Sequence, residues 1–332
     1  MIITRTPYRV SFVGGGSDLP AYYQQNQGRV MSCAINKHIY IALHPSFNPE
    51  ETLIRYSKVE KVTNLNDIEH EIVREVLTKY DVSGVEITCI GDIPSKTGLG
   101  SSSSFTVGLL NAVHTFLGTN KSNIEIAEEA SAIEIELSSG VIGKQDQYAA
   151  AVGGLNELIF NTDGSVEVNK LVVGEKTDEL VNSLGLFFTG ATRNAETILK
   201  QHSSQIKNNA KSLDNQTLLT KMVPDARQAL EAGNVQEFGM VLDEAWKLKR
   251  EISQGISNEH IDALYNEMIK LGCIGGKLLG AGGGGFILGV CPKDVRDTIS
   301  KQLGLPSITF NIDQEGTKVI HDDNERKYYV AN

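Results

Sequence analysis

A chain of 332 residues is long enough for two domains and a substantial buried core. Its formal net charge of -10 excludes the broad basic face on which nucleic-acid binders rely, so an anionic substrate must be held by local donors. It has no basic-then-apolar leader and no apolar run of membrane-spanning length, which points away from a membrane partner and makes the cytoplasm the expected location.

Strand patterns open the chain at residues 2–4, 9–13, 39–44 and 85–90, and a helical pattern at about 67–79 interrupts them. Two helices follow. One runs from the serines at 101 to about 117, the other over about 123–137 with Ile126, Ala130, Ile133 and Leu137 on one face. Asn161-Thr162-Asp163-Gly164 reads as the tight turn of a hairpin, which Asp-Gly favours. After a strand at 186–188, amphipathic helices fill most of 195–270. Two apolar strands then flank a glycine run at 280–285, followed by a helix near 293–303 and a strand at 308–310. The domain boundary falls near residue 184. Cys33, Cys89, Cys273 and Cys291 lie far apart and mostly within apolar runs, with no C-x-x-C spacing, and read as reduced core residues.

Three glycine-rich segments carry the chemistry. Residues 94–104 read Pro-Ser-Lys-Thr-Gly-Leu-Gly-Ser-Ser-Ser-Ser and lead from a strand pattern straight into a helical one. That places a flexible turn and four hydroxyls at a helix N-terminus, where unpaired N–H groups and the macrodipole attract an anion. The segment reads as a phosphate cradle, with a serine-capped loop as the plainer alternative. It is not a Walker A loop, because no Gly-Lys-Ser/Thr closes it. The second segment, residues 6–18, reads Thr-Pro-Tyr-Arg-Val-Ser-Phe-Val-Gly-Gly-Gly-Ser-Asp, and the third, residues 277–286, reads Lys-Leu-Leu-Gly-Ala-Gly-Gly-Gly-Gly-Phe.

Together, in this order and at these separations, the three segments resemble the GHMP kinase superfamily of galactokinase, homoserine, mevalonate and phosphomevalonate kinases, over nearly the whole chain. Within it, the string from Arg5 to Tyr23 and the run Gly143-Lys144-Gln145-Asp146-Gln147-Tyr148 look most like the D-glycero-D-manno-heptose 7-phosphate kinases. The resemblance implies an α+β fold of two domains. Residues 1–184 would form a mixed-sheet domain that binds ATP and carries the catalytic groups, and residues 185–332 a ferredoxin-like domain with added helices. It further implies an enzyme using ATP and Mg2+ to phosphorylate the anomeric hydroxyl of a heptose 7-phosphate. A kinase for another sugar (fucose, glucuronate or a hexose) and a non-catalytic sugar or nucleotide sensor are the alternatives, and the oligomeric state is left open.

The same resemblance distributes roles. Pro94, Gly98, Leu99, Gly100, Ser101, Ser102, Ser103 and Ser104 would wrap the ATP phosphates, with Ser102 reaching the metal. Glu134 stands as far before Asp146 as the metal-binding glutamate of galactokinases stands before their catalytic aspartate; Glu136 is the second candidate. Asp146 would face the attacking hydroxyl, either as base or as a group that orients it. Arg9 matches the arginine of the N-terminal signature, and a fixed guanidinium can hold the aspartate ionised and neutralise charge growing on the transferred phosphoryl. A buried ion pair without catalytic purpose is the plainer reading of Arg9 and Asp146.

Asp18 would grip sugar hydroxyls. Gly15, Gly16 and Ser17 stand where galactokinases carry Glu-His-Thr, leaving backbone amides open to a larger or differently shaped sugar. A distal phosphate needs cationic or amide donors, for which Thr192 and Arg193 before the helix at 195, and Lys144 beside Asp146, are the candidates. Gly282, Gly283 and Gly284 would support the cradle from the third segment, or simply permit close packing. His38, His114 and His260 read as structural or surface residues.

Overall fold

The structure, a computed structural model, describes residues 1–172, 174–191 and 195–323. Strand β1 (Ile2–Val13) runs antiparallel to the long strand β2 (Gly28–Pro45), with the short helix α1 (Pro20–Tyr23) between them. The two patterns at 2–4 and 9–13 are therefore one strand. Pro7 interrupts it by offering no N–H, and the register shifts between Pro7 and Tyr8, an irregularity at which proline is tolerated. Residues 30–35 of β2 are all buried, so this half of the strand has no polar alternation that a sequence could display.

The hairpin of β3 (Thr52–Arg55) and β4 (Val59–Val62) and the strand β5 (Val85–Gly91) extend the sheet on one side of β2. A second hairpin, β6 (Leu155–Phe160) and β7 (Val166–Lys170), pairs with the start of β2 and turns at the expected Asp-Gly. The helix expected over 67–79 begins later, as α2 (Glu71–Lys79). The carboxylate of Glu60 accepts hydrogen bonds from the backbone N–H groups of Glu69 at 2.6 Å and His70 at 3.2 Å, which engages donors outside the helix. Helices α3 (Ser101–Phe116), α4 (Asn123–Leu137) and α5 (Gln145–Val152) pack together, with α3 and α5 against β1 and β2. Ser122 starts α4 through a reciprocal capping box with Glu125.

After α6 (Glu175–Asn182), β8 (Leu184–Phe188) begins a second sheet. Five helices follow: α7 (Ala195–Asn208), α8 (Ala210–Lys221), α9 (Val223–Ala232), α10 (Val235–Ile252) and α11 (Glu259–Lys270). Then come β9 (Gly275–Leu278), β10 (Phe286–Val290), α12 (Lys293–Leu303) and β11 (Ser307–Ile308). The antiparallel order β11-β8-β10-β9 is that of a ferredoxin-like domain enlarged by helices.

The last strand, β12 (Lys318–Asp322), pairs with β1, so the unit expected over 185–332 gives its final strand back to the first sheet. One apolar core runs through both sheets, and at the seam Phe12 of β1 meets Phe238 of α10 edge-on with ring centroids 5.5 Å apart. Strand β1 thus carries its side chains to both domains.

Cys33, Cys273 and Cys291 are buried and Cys89 half-buried, all as free thiols. His38 is paired with Asp313 at 2.8 Å, His114 with Glu129 at 2.8 Å, and His260 is exposed. Among the described residues no helix is long and apolar enough to cross a membrane.

Candidate active site

A cleft of about 400 Å³ opens where the loop before α3 meets the loop between β9 and β10. Gly100 precedes α3 in a left-handed conformation and no side chain caps the helix, so its first N–H groups are available to a ligand. Gly98, Gly100, Ser101, Ser102 and Ser103 line the cleft. Three of the residues expected with them do not. Pro94 is exposed and its carbonyl accepts from the Thr97 hydroxyl at 3.0 Å, Leu99 is buried in the core, and the Ser104 hydroxyl donates to the carbonyl of Pro7 at 2.8 Å, tying α3 to β1.

The opposing loop is in direct contact with this one. A Cβ on Gly280 would stand 2.7 Å from the Cα of Gly98, closer than packing allows, so only glycine lets the two turns meet. Gly282 and Gly284 line the cleft, while the Gly283 N–H donates to the carbonyl of Ile256 at 3.0 Å.

Glu134 projects from α4 into the cleft wall and is buried. Its carboxylate accepts from the Ser103 hydroxyl at 2.9 Å, from Gln147 Nε2 at 2.8 Å and from the Thr106 hydroxyl. Burial pushes its pKa up to about 7, the hydrogen bonds pulling the other way. Glu136 is exposed and does not line the cleft, whereas Glu134 does. Ser102, one residue before the Ser103 that holds Glu134, is exposed to the cleft.

Arg9 of β1 grips Asp146 of α5 in a fork. Nε donates to Oδ1 and Nη2 to Oδ2, both at 2.7 Å, while Nη1 donates to the carbonyl of Gly98 at 2.6 Å. The Arg9 side chain is 4 % exposed and that of Asp146 25 %, so the carboxylate presents its free edge to the cleft. Beside it, buried Asp18 accepts from the Gly16 N–H and from Gln145 Nε2, each at 2.9 Å. Burial, and secondarily the charge of Asp146, raise the pKa of Asp18. Gly15 and Gly16 line the cleft. Ser17 does not, because its hydroxyl is exchanged with the backbone of Arg29 in two hydrogen bonds of 2.9 Å.

Two polar atoms here are buried without a partner: Ser11 Oγ and Gln145 Oε1. A Cβ on Gly15 would stand 3.4 Å from Ser11 Oγ and 3.5 Å from Gln145 Nε2, so the missing side chain keeps the space between them open. The Lys144 ammonium turns elsewhere, to the carbonyl of Gly164 and over the ring of Tyr23, 5.1 Å from its centroid, and does not line the cleft. Thr192 and Arg193 lie outside the described residues; Ala195 and Glu196, which follow them, line the cleft.

His202, Lys249 and Lys277, none of them a sequence candidate, also line it, and they are 2 %, 7 % and 4 % exposed. Two signals mark the lysines. Lys277 sits inside an apolar strand, and Lys249 falls on the stripe of α10 that buries Leu242, Ala245, Trp246 and Ile252. Burial lowers the pKa of all three, His202 to about 4 and Lys249 to about 8.

A bare helix N-terminus for phosphates, hard oxygen donors next to it, and a half-exposed carboxylate fixed by an arginine suit phosphoryl transfer to an alcohol, in which positioning and charge matter more than covalent chemistry. The chain belongs to the GHMP kinases: residues 67–154 match the family described as GHMP kinases N terminal domain, and residues 226–305 the one described as GHMP kinases C terminal. It is a sugar kinase of that family, a phosphotransferase with an alcohol acceptor.

Among its relatives, the D-glycero-alpha-D-manno-heptose 7-phosphate kinase of Campylobacter jejuni is 31 % identical over 86 % of this chain and 88 % of its own length. The L-fucokinase/L-fucose-1-P guanylyltransferase of Bacteroides fragilis is 25 % identical over 85 % of this chain and 34 % of its own. A solved D-glycero-D-manno-heptose 1-phosphate kinase from Bacteroides thetaiotaomicron superimposes with a TM-score of 0.78 over 97 % of this chain and 99 % of that one at 23 % identity, and shares the fold.

Proposed function

We propose that this kinase transfers the γ-phosphoryl of ATP to the anomeric hydroxyl of D-glycero-D-manno-heptose 7-phosphate, giving the 1,7-bisphosphate as a step toward a nucleotide-activated heptose. The observation that supports the substrate is the 31 % identity, along most of both chains, to a relative named D-glycero-alpha-D-manno-heptose 7-phosphate kinase. Residues 1–184, with the returning strand β12, would hold nucleotide and acceptor; the remainder would supply the closing loop and α10.

In this reading the phosphates of ATP meet the N–H groups at the start of α3, with Gly98 and Gly100 allowing their approach. Asp146, pinned by Arg9, faces the anomeric hydroxyl and either orients it or takes its proton as the oxygen attacks phosphorus. Asp18 and Gln145 hold neighbouring hydroxyls, and the unpartnered Ser11 Oγ and Gln145 Oε1 are natural partners for the sugar. The space over Gly15 admits a ring that an acidic side chain there would obstruct.

Magnesium fits the cradle. It takes hard oxygen ligands and keeps waters, so the Ser102 hydroxyl, the Glu134 carboxylate and phosphate oxygens form a suitable set; the buried carboxylate with its raised pKa is the kind of group a cation would hold ionised. When bound, it would neutralise phosphate charge. The 25 % identity to a fucokinase favours a second reading, a kinase for an unphosphorylated sugar.

ADP release measured with ATP and a panel of sugars, scored by kcat/KM, separates the two readings. Preference for heptose 7-phosphate is expected, and equal or better use of the unphosphorylated heptose or of fucose would replace the first reading by the second.

A further inference from the structure

Phosphoryl transfer spreads negative charge over the equatorial oxygens of the moving group, and a cation there is worth more than one already neutralised. The charge of Arg9 is largely answered by Asp146: Nε and Nη2 donate to that carboxylate and Nη1 to the carbonyl of Gly98, so three of its five N–H groups are engaged before any phosphate enters. Lys277, the second buried cation in the wall, donates to the carbonyls of Ser11 at 3.1 Å and Phe12 at 2.8 Å and braces β1.

Lys249 is placed differently. It is 7 % exposed, lines the cleft, and its described hydrogen bond goes to the carbonyl of Gly280 at 2.8 Å, on the turn that touches Gly98 of the phosphate loop. An ammonium has three N–H donors, so two remain. Among the described residues its hydrogen bond is to a carbonyl and it forms no salt bridge, while the charges of Asp18 and Asp146 favour its ammonium and that of Arg9 opposes it. A buried lysine without a paired carboxylate is costly, and an anion in the cleft would offset that cost.

We propose that Lys249 is a further catalytic residue whose ammonium contacts the phosphoryl group in flight, supplying from the C-terminal domain the positive charge that Arg9 has committed to Asp146. In the step, the acceptor oxygen forms its bond to the γ-phosphorus as the bond to the β–γ bridging oxygen breaks. The hydroxyl proton passes to Asp146 or to water, ADP leaves with the bond's electron pair, and Lys249 keeps its protons. The inference rests on the kinase reading but not on the identity of the sugar.

Lys249→Met and Lys249→Arg in the full chain test it, using the sugar of the panel that the wild type turns over. Lys249→Met is expected to lower kcat by about 100-fold or more with the acceptor KM nearly unchanged, and Lys249→Arg to restore part of the rate. By calorimetry, Lys249→Met should bind the magnesium complex of β,γ-imido-ATP about tenfold more weakly while binding MgADP as before.

Three results would overturn the proposal. A kcat within about threefold of wild type removes Lys249 from the step. A raised acceptor KM at unchanged kcat assigns the lysine to an anionic group on the acceptor. Equal weakening of MgADP and the triphosphate analogue makes its role structural. If Lys249→Met does not fold, as judged by circular dichroism, Lys249→Gln is carried through the same comparison. A wild type that turned over no sugar would defeat the kinase reading, yet the nucleotide comparison would still decide for or against Lys249.

Discussion

Ser103, not Ser102, donates its hydroxyl to Glu134, at 2.9 Å, and leaves the hydroxyl one residue earlier facing the cleft. The carboxylate is thus presented next to a free oxygen donor but is itself too buried to ionise readily, with a pKa raised from 4.5 to about 7. Below pH 4.5 it is neutral folded or unfolded. As pH rises from there through 7 the unfolded chain gains the charge more easily, so without metal this group's stabilising contribution is lost across that window. The loss is on the order of 3 kcal/mol.

Stability of the wild type relative to Glu134→Gln, from urea midpoints without magnesium, should therefore fall between pH 4.5 and 8. Magnesium would reverse the trend by binding the ionised form. The concentration needed for half-maximal rate should rise below pH 7 in the wild type and stay level with pH in Glu134→Gln. Ser102→Ala should raise that concentration too, at every pH. Parallel pH curves for wild type and Glu134→Gln would dismiss the carboxylate as the metal group.

Asp146→Asn keeps the side chain's size but sets an NH2 donor against one arm of the Arg9 fork, and removes the charge and the proton acceptor. We expect kcat to fall by at least ~100-fold with ATP affinity little changed. Near-normal turnover in a folded variant would reduce the Arg9–Asp146 contact to a structural ion pair.

Gly280→Ala tests whether the third glycine segment acts on the nucleotide or only packs. The added Cβ would come within 2.7 Å of Gly98 at a φ of +75°, so the two loops must part. A stability loss of about 1–3 kcal/mol and a several-fold rise in the KM for ATP should appear together. Loss of stability with an unaltered KM would show that the cradle keeps its shape without this support.

Much of this geometry was legible because the residues that build it are local and chemically unusual. Glycine and serine runs mark the two turns, and the apolar spacing of Ile126, Ala130, Ile133 and Leu137 marks α4. The ferredoxin-like strand order and the pairing of β12 with β1 were reached through resemblance or not at all, since β12 is separated from its partner by some 300 residues. Residue direction was the harder problem. Lys144 and Asp146 are two apart, yet one turns to Gly164 and the other to the cleft, because Lys144 precedes α5 and Asp146 sits in its first turn. Lys249 and Lys277 carried a signal, a lysine on an apolar face, that gains meaning only once the opposing wall is known to hold Arg9 and Asp146.

The acceptor's distal phosphate is the finest distinction the cleft must make. With Lys144 engaged by Gly164, Lys144→Ala should leave the preference for the 7-phosphate over the unphosphorylated heptose unchanged. Arg193→Ala should weaken the 7-phosphate by on the order of 2 kcal/mol, because a bidentate arginine–phosphate contact is charge-assisted, and should leave ATP binding intact. The unphosphorylated heptose should lose far less, and that double comparison isolates the side chain's interaction with the phosphate. Ser11→Ala serves as the contrast: it removes a hydroxyl partner common to both sugars and should lower kcat/KM about tenfold for each without altering their ratio. Equal losses on both sugars from Arg193→Ala would move the anion site to backbone amides of the turn at 14–16. A change in the ratio from Ser11→Ala would show that Ser11 lies at the phosphate end of the acceptor rather than beside its reacting hydroxyl.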